Sequence, residues 1–373
     1  MKLRRSIWAV LGGIEGLPVL GVLLLLYGAF LITAPNVFTK PLIYMSFLQT
    51  VPPWLILGLG LTLVITAGEI DLSFPAVVAL SGFVFAWVLK NVPGPAAPWL
   101  GFALALAAGG LIGWTNGLLV AKVRVPSIMA TLAAQFFWYG ITILIANGLQ
   151  INLAEVEQTA VHDIFTGRIL GILPAQALWA AGLAVVLWFL LNRHTFGEAL
   201  MFIGDNPNVA RVMGIDVEAT KIRLFTLMGV IAAFGGLLLT IEINVFFPNQ
   251  GQGFLLWTMA AVFIGGTLIS GGKGSVVGTF FGSFIIGSLQ AGVVATGVTS
   301  YWVQSAMGLI IIAAVVINVL IGDERFPAIS ARIRGWVFPD RTLNAPAGRP
   351  SDDLEGARST PNPYRKSKPK QRR

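Results

Sequence analysis

The sequence contains no cysteine and only two histidines, His162 and His194, far apart along 373 residues. Their scarcity excludes a disulfide framework, a thiol nucleophile and a thiolate metal site, and leaves no cluster of imidazoles that could hold zinc. Charge is scarce as well. Asp, Glu, Lys and Arg make up 11% of the chain, against about 25% in ordinary soluble domains. An enzyme embedded in a membrane would need histidines or carboxylates clustered on facing helices, and the sequence offers none. No catalytic residue and no metal ligand is therefore assigned.

What is present is apolar: 55% of residues are hydrophobic and the mean hydropathy is +0.79, the balance of a membrane protein. The net charge of +8 is no sign of nucleic-acid binding. Twelve Lys and Arg against six Asp and Glu follow Ile321, so +6 belongs to the C-terminal tail. A polybasic tail beside a membrane meets anionic lipid headgroups. After "MKLRR", the run "LPVLGVLLLLYGAFLIT" exceeds the usual core of a signal peptide and no A-x-A site follows, so it is taken as a first membrane span.

Apolar stretches near the length of a bilayer crossing, about 20 residues, fall at 17–33, 50–67, 74–90, 98–120, 127–147, 173–191, 224–241, 256–270, 275–295 and 302–321. The expected fold class is all-α and polytopic, with about ten transmembrane helices, some broken or tilted where Gly and Pro interrupt them. With the N-terminus inside, the cytoplasmic loops and N-terminus receive ten Lys and Arg and the external loops three, Lys40, Lys90 and Arg168. That asymmetry follows the positive-inside rule and places both termini in the cytoplasm. The expected organisation is a cytoplasmic N-terminus (1–16), a transmembrane domain (17–321) with a cytoplasmic loop at 192–223, and a basic cytoplasmic tail (322–373). Residues 339–373 lack apolar periodicity and are expected to be disordered.

The loop contains "FIGDNPNVARVMGIDVEATKIR", unusually polar for this chain. Asn206 is a good N-cap, Pro207 fits the first helical position, and Gly214 suits a left-handed residue after the end, predicting a helix over Pro207–Met213. Val209, Val212 and Met213 fall at i, i+3 and i+4 on one apolar stripe, with Asn208 and Arg211 on another side. So short a helix is marginal alone in water. Its stripe either rests on the protein's own helices or docks elsewhere.

"GEIDLSF" puts Glu69 and Asp71 in a tight turn between two spans, where charge is costly unless paired or hydrated. Asp71 or Ser73 caps the following helix, or these residues line a pathway. "GGTLISGGKGS" fails the phosphate-loop pattern G-x-x-x-x-G-K-[ST] twice, at Thr267 and at Gly274. Gly274, Gly278 and Gly282 instead form a small-xxx-small face for close helix packing, within one protomer or across a dimer. Asn116, Gln135, Gln290, Gln304 and Asn318 lie within spans, and Glu242 and Asn244 at a span end. "AQFFWYG" offers Gln135, Trp138 and Tyr139 as hydrogen-bonding and aromatic partners for a sugar, although such residues in a bundle often only join neighbouring helices.

"FGEALMFIGDNPNVARVMGIDVEATKIRLFTLMGVIAAFGGLLLT" resembles the cytoplasmic loop and following helix of ribose-type ABC-transporter permeases, matching at Gly197, Gly204, Asn206, Ala210, Arg211, Gly214 and Ile215. "LGLTLVITAGEIDLSFPAVVALSG" resembles that family's Gly-Ile-Asp-Leu-Ser signature, with Glu69 in place of a Gly and Phe74-Pro75 in place of Val-Gly. "AAVFIGGTLISGGKGSVVGTFFGSFIIGSLQAGV" resembles its Gly-rich eighth and ninth helices. Together the resemblance covers roughly 45–320. It implies the architecture of the vitamin-B12-importer-like permeases and import of a monosaccharide or similar small polar solute. In that family the loop is a coupling helix that inserts into a groove of the ATPase subunit. The matching residues here are Gly204, Asn206, Pro207, Val209, Ala210, Arg211, Val212, Met213 and Gly214, with Asp205 and Val209 standing for a Gly and an Ala. The implied partners are cytoplasmic ATPase subunits that use ATP and Mg, an extracytoplasmic substrate-binding protein, and a second permease copy. The implied pathway residues are Glu69, Asp71, Asn116, Gln135, Trp138 and Tyr139. A branched-chain amino acid, nucleoside or polyol permease, or an ion-coupled secondary transporter of a different class, is the alternative.

Overall fold

The computed structural model describes residues 15–297 and a scatter of helical positions between 299 and 316. Residues 1–14 of the expected N-terminal segment 1–16, the tenth span over most of 302–321 and the tail 322–373 lie outside the described residues. Seven of the helices carry proline at their first or second position, where its missing N–H leaves no hydrogen bond unmade and its fixed φ suits the helix.

In chain order the helices are α1 (Leu17–Thr33), α2 (Pro35–Phe38), α3 (Pro41–Thr50), α4 (Pro52–Thr66), α5 (Phe74–Asn91), α6 (Ala97–Ala121) and α7 (Ser127–Ile145). After strand β1 (Ile151–Asn152) and a 3-10 turn (Ala154–Gln158) come α8 (Ala160–Phe165), strands β2 (Arg168–Ile169) and β3 (Leu173–Pro174), and α9 (Ala175–Arg193). The chain continues through α10 (Thr195–Asp205), α11 (Pro207–Val212), α12 (Val217–Ile243), β4 (Val245–Phe246), α13 (Phe254–Ile264) and α14 (Val276–Ala295). The strands form two small antiparallel pairs, β1 with β4 and β2 with β3, an addition to the all-α expectation.

Among the described residues six helices, α5, α6, α7, α9, α12 and α14, are long and apolar enough to cross a membrane. A seventh span is made if α3 and α4 count as one, bent by 52° at Val51. Pro52 and Pro53 lack the N–H groups that would continue α3, which accounts for the bend. Within the expected span at 256–270 the helix α13 has eleven residues and ends where Gly265 lies against the backbone of Gly278 and Thr279. The span expected to begin at 224 instead starts at Val217, because Asp216 caps it by accepting the Ala219 N–H at 2.9 Å.

Every residue of α4 is buried, and α5 and α12 are largely so, forming the centre of the bundle. By contrast α7 and α9 present apolar side chains outward, including Met129, Phe136, Leu144, Val185 and Phe189. An outward apolar face is what lipid requires. Close helix contact depends on small residues, as it must where lipid tails are as apolar as leucine. A Cβ on Gly113 would strike the Phe225 carbonyl, and one on Gly117 the Ile222 backbone, so α6 and α12 meet through a glycine seam. Gly278 and Gly282 likewise face the Gly265 and Ala261 carbonyls of the α13 segment, while Gly274 faces Thr66 and Thr62 of α4. The Gly274, Gly278 and Gly282 face thus packs inside one protomer.

The described Lys and Arg side chains divide between the bundle's two ends. Lys122, Arg124, Arg193, Arg211, Lys221, Arg223 and Lys273 belong to the end that carries α10 and α11. Lys40, Lys90 and Arg168 belong to the other. At that opposite end the Glu242 carboxylate accepts hydrogen bonds from Gln49 and, at 3.1 Å, from Gln176, and Lys90 pairs with Glu155 at 2.5 Å. The bent segment is therefore tied to the ends of α9 and α12.

Replacing Gly278 by Leu forces a side chain into the Gly265 carbonyl, and overpacking of this kind costs about 1–3 kcal/mol or more. We expect Gly278→Leu to lower the yield of monodisperse protein in detergent and its Tm. Unchanged yield and Tm would show that α14 and the α13 segment separate freely.

Candidate functional site

The residues singled out in the sequence gather around one end of the bundle. α11 forms as expected but one residue shorter, with Met213 as its C-cap. The Asn206 side chain accepts the N–H groups of Asn208 at 3.0 Å and Val209 at 3.2 Å, which satisfies donors the helix itself leaves open. Gly214 leaves the helix at φ 86°, a left-handed conformation that costs other residues energy. Arg211 donates to Asn208 Oδ1 at 3.3 Å.

Burial across α11 is sharply one-sided. Ala210 is buried against Ile203 and Val217, whereas Val209, Val212 and Met213 are 51%, 89% and 57% exposed. The apolar stripe does not rest on the protein's own helices.

Behind α11 three backbone segments cross. Gly204, in the last turn of α10, lies against the carbonyl of Thr66 and the N–H of Gly272, and Gly68 approaches Gly204 and Gly271. The Gly272 N–H donates to the Thr66 carbonyl at 2.9 Å. A Cβ on Gly204 would overlap the Thr66 oxygen, so only glycine permits the approach.

The turn that follows, 67–73, is fastened on several sides. Asp71 is buried and its Oδ1 accepts both the Ser73 N–H at 2.7 Å and the Ser73 hydroxyl at 2.6 Å. Asn116 Nδ2 donates to Ser73 Oγ at 2.7 Å, and Asn116 Oδ1 is buried without a partner. Ser127 accepts the Ile70 N–H at 3.2 Å and Thr131 the Leu72 N–H at 3.0 Å. Gln135 Oε1 accepts the Ala76 N–H at 2.8 Å in the first turn of α5.

The capping expectation is corrected in detail: Ser73 makes no side-chain cap, Asp71 binds it from two residues before, and the Ala76 N–H is shared between Gln135 Oε1 at 2.8 Å and the Ser73 carbonyl at 3.0 Å. Glu69 pairs with Lys221 in the second turn of α12. Asp71, Asn116 and Gln135 are thus drawn together and Glu69 stands beside them. Trp138 and Tyr139 are not: they lie farther along α7, half-buried, with the Trp138 ring edge-on to Phe137.

The sequence reading missed Ser127 and Thr131, although with Gln135 they form a polar stripe at four-residue spacing on α7. It also missed Lys221 and α10, whose N-cap His194 accepts the Phe196 N–H at 3.0 Å.

With this geometry described, the chain's relatives can be compared with it. Residues 43–320 match the family model described as branched-chain amino acid transport system / permease component. The chain belongs to this permease family. It is 33% identical over 287 residues to the ribose import permease protein of Escherichia coli K12, covering 76% of this chain and 88% of that protein. To the fructose import permease protein of Rhizobium meliloti it is 32% identical over 269 residues, 70% of this chain and 74% of that one. The L-arabinose ABC transporter permease protein of Azospirillum brasilense is 28% identical over 318 residues, 85% of this chain and 90% of the relative. No solved structure matches the permease. Its matched region contains α11, the turn at 67–73 and the α13–α14 segment.

Burial pushes the Asp71 carboxyl above the ordinary carboxylate value of 3.8, and the hydrogen bonds from Ser73 pull it partly back. A raised folded-state value means that the folded permease binds more protons than the unfolded chain between those two pKa values. Stability from Asp71 is therefore present below about 3.8 and is lost as pH rises through the folded value. Asp71→Asn keeps an acceptor for Ser73 without the charge, so its Tm should fall less than the wild type's as pH rises from 3.8 upward. Parallel Tm curves for the two proteins would contradict this.

Proposed function

We propose that this permease is the membrane-spanning subunit of an ATP-driven importer that carries a monosaccharide or a similar small polar solute into the cytoplasm. The observation that carries the coupling role is the exposed Val209, Val212 and Met213 stripe on a helix whose other side is fixed to the bundle. An apolar stripe left in water and backed by a rigid seat is suited to dock in a groove of another protein. That partner is an ATPase subunit, which binds and hydrolyses ATP with Mg while this chain binds neither. Gly204, Asn206, Pro207, Ala210, Arg211 and Gly214 shape and seat the coupling helix.

Membership of the family and the sugar-permease relatives support the transport role and the solute class. The charge division supports an orientation with the α11 end and both termini in the cytoplasm, the basic tail 322–373 included. It also supports ten spans, of the vitamin-B12-importer-like kind, in the inner membrane. The opposite end, where Lys90, Trp99 and Glu155 line a cleft of about 690 Å3, faces an extracytoplasmic substrate-binding protein, and a second permease copy completes the pathway. ATP-driven closure of the ATPase pair moves the coupling helices and changes which side the pathway opens to, a shift between two states that the nucleotide stabilises differently. Asp71, Asn116 and Gln135 hold the turn beside that pathway, and Trp138 and Tyr139 offer aromatic surface to it.

Val212→Asp puts a carboxylate into the docking seam, and an unpaired buried charge costs about 3–5 kcal/mol. The variant should insert in the membrane at the wild-type level but lose the co-purifying ATPase and lose uptake of labelled pentose or hexose. Retention of the ATPase with wild-type uptake would mean that the stripe is no docking surface. Uptake of branched-chain amino acids in place of sugars by the wild type would reassign the solute.

A further inference from the structure

The turn at 67–73 and the coupling helix are held together by more than the glycine crossing. The coupling segment leaves the bundle through Gly204 and returns through Asp216 and Val217. On both sides of that excursion the chain meets the same turn. On the outgoing side Gly204 packs on Gly68 and on the Thr66 carbonyl. On the returning side Lys221, one turn past the start of α12, pairs with Glu69. The pair is shielded, with side chains 16% and 12% exposed, so it is screened less than a surface ion pair.

The other charged groups near it come from every element that surrounds it. Arg124 follows α6, Arg211 lies on α11 and Glu218 on α12, and with Glu69, Ser127 and Lys221 they line an open basin of about 250 Å3. Glu218 already pairs with Lys122 at 3.7 Å and Arg124 at 4.0 Å. Lys221 is thus the cation that engages Glu69.

We infer that the Glu69–Lys221 pair is the tie by which movement of the coupling helix reaches the turn at the start of α5, so that both are positioning residues for transport. Glu69 makes no contact with solute in this role. It adjoins Ile70, Asp71 and Leu72, whose hydrogen bonds run to Ser127 and Thr131 on α7 and through Ser73 to Asn116 on α6. Displacement of α12 at Lys221 therefore pulls on a turn already fastened to two other helices. The glycine crossing passes on compression, and among the described residues the bond from the Gly272 N–H to the Thr66 carbonyl joins it against separation. The ion pair supplies resistance in that direction.

The proposal rests on the coupling reading, and the test separates the two. The permease is reconstituted in proteoliposomes with its ATPase and binding protein, and sugar uptake is measured per ATP hydrolysed. Glu69→Gln/Lys221→Met removes both charges without leaving one buried alone. It should retain the ATPase at wild-type stoichiometry while uptake per ATP falls about five-fold or more, the scale of a typical coupling free energy. The exchange Glu69→Lys/Lys221→Glu should restore uptake per ATP to within about two-fold of wild type, well inside that coupling loss. Wild-type uptake per ATP in the neutral variant would overturn the proposal, as would an exchanged variant that folds, binds the ATPase and stays as uncoupled as the neutral one. A wild-type permease that retains no ATPase would remove the coupling assignment itself, and this proposal with it.

Discussion

The close backbone crossing of Gly204 with Thr66 and Gly272 is the contact on which the rest of this end of the molecule depends. Three segments remote in sequence meet there without a side chain between them, and the Gly272 N–H donates to the Thr66 carbonyl. Because lipid supplies no hydrophobic force to press helices together, backbone proximity and hydrogen bonding must do so. The crossing fixes where α10 ends, and hence where α11 begins and which way its stripe faces. A methyl group on Gly204 would push α10 away from α4 and carry α11 with it.

From that point the polar network has a simple logic. A turn between two buried helices exposes backbone N–H groups that lipid cannot satisfy. Ser127, Thr131 and Gln135 reach them from α7, Asp71 reaches Ser73, and Asn116 reaches the Ser73 hydroxyl. Residues that looked like candidates for solute binding are engaged first in holding a turn. Glu69 and Lys221 then connect that turn to α12, the helix that continues from the coupling segment.

Much of this was legible in the sequence where the signal is local. Proline and asparagine at 206–207 and glycine at 214 announced α11, and the i, i+3, i+4 valines and methionine announced its stripe. The six helices long and apolar enough to cross a membrane among the described residues fall on apolar runs of the sequence. Less legible were contacts between distant segments. Gly109, Gly113 and Gly117 have the same four-residue spacing as Gly274, Gly278 and Gly282, yet only the second set drew attention, because it sits in a glycine-rich motif. The polar stripe Ser127, Thr131 and Gln135 was divided, with Gln135 assigned to solute. That the helix α13 stops after eleven residues within the run at 256–270 was not legible, because hydropathy does not register a backbone that turns at Gly265 to meet Gly278. The Glu69–Lys221 pair could not be inferred, since the two lie 152 positions apart with no local pattern to link them.

The central claim is that α11 seats in an ATPase subunit. Because the chain has no cysteine, a single Asn208→Cys places the one thiol beside the exposed stripe. Cross-linking it in membranes to single cysteines along the ATPase groove measures the seating directly. The account predicts a cross-link at Asn208 whose yield changes when ATP is added. It also predicts none from a cysteine at the opposite bundle end, at Gln158. Equal yields from both positions, or none from Asn208 with an assembled and active complex, would contradict it.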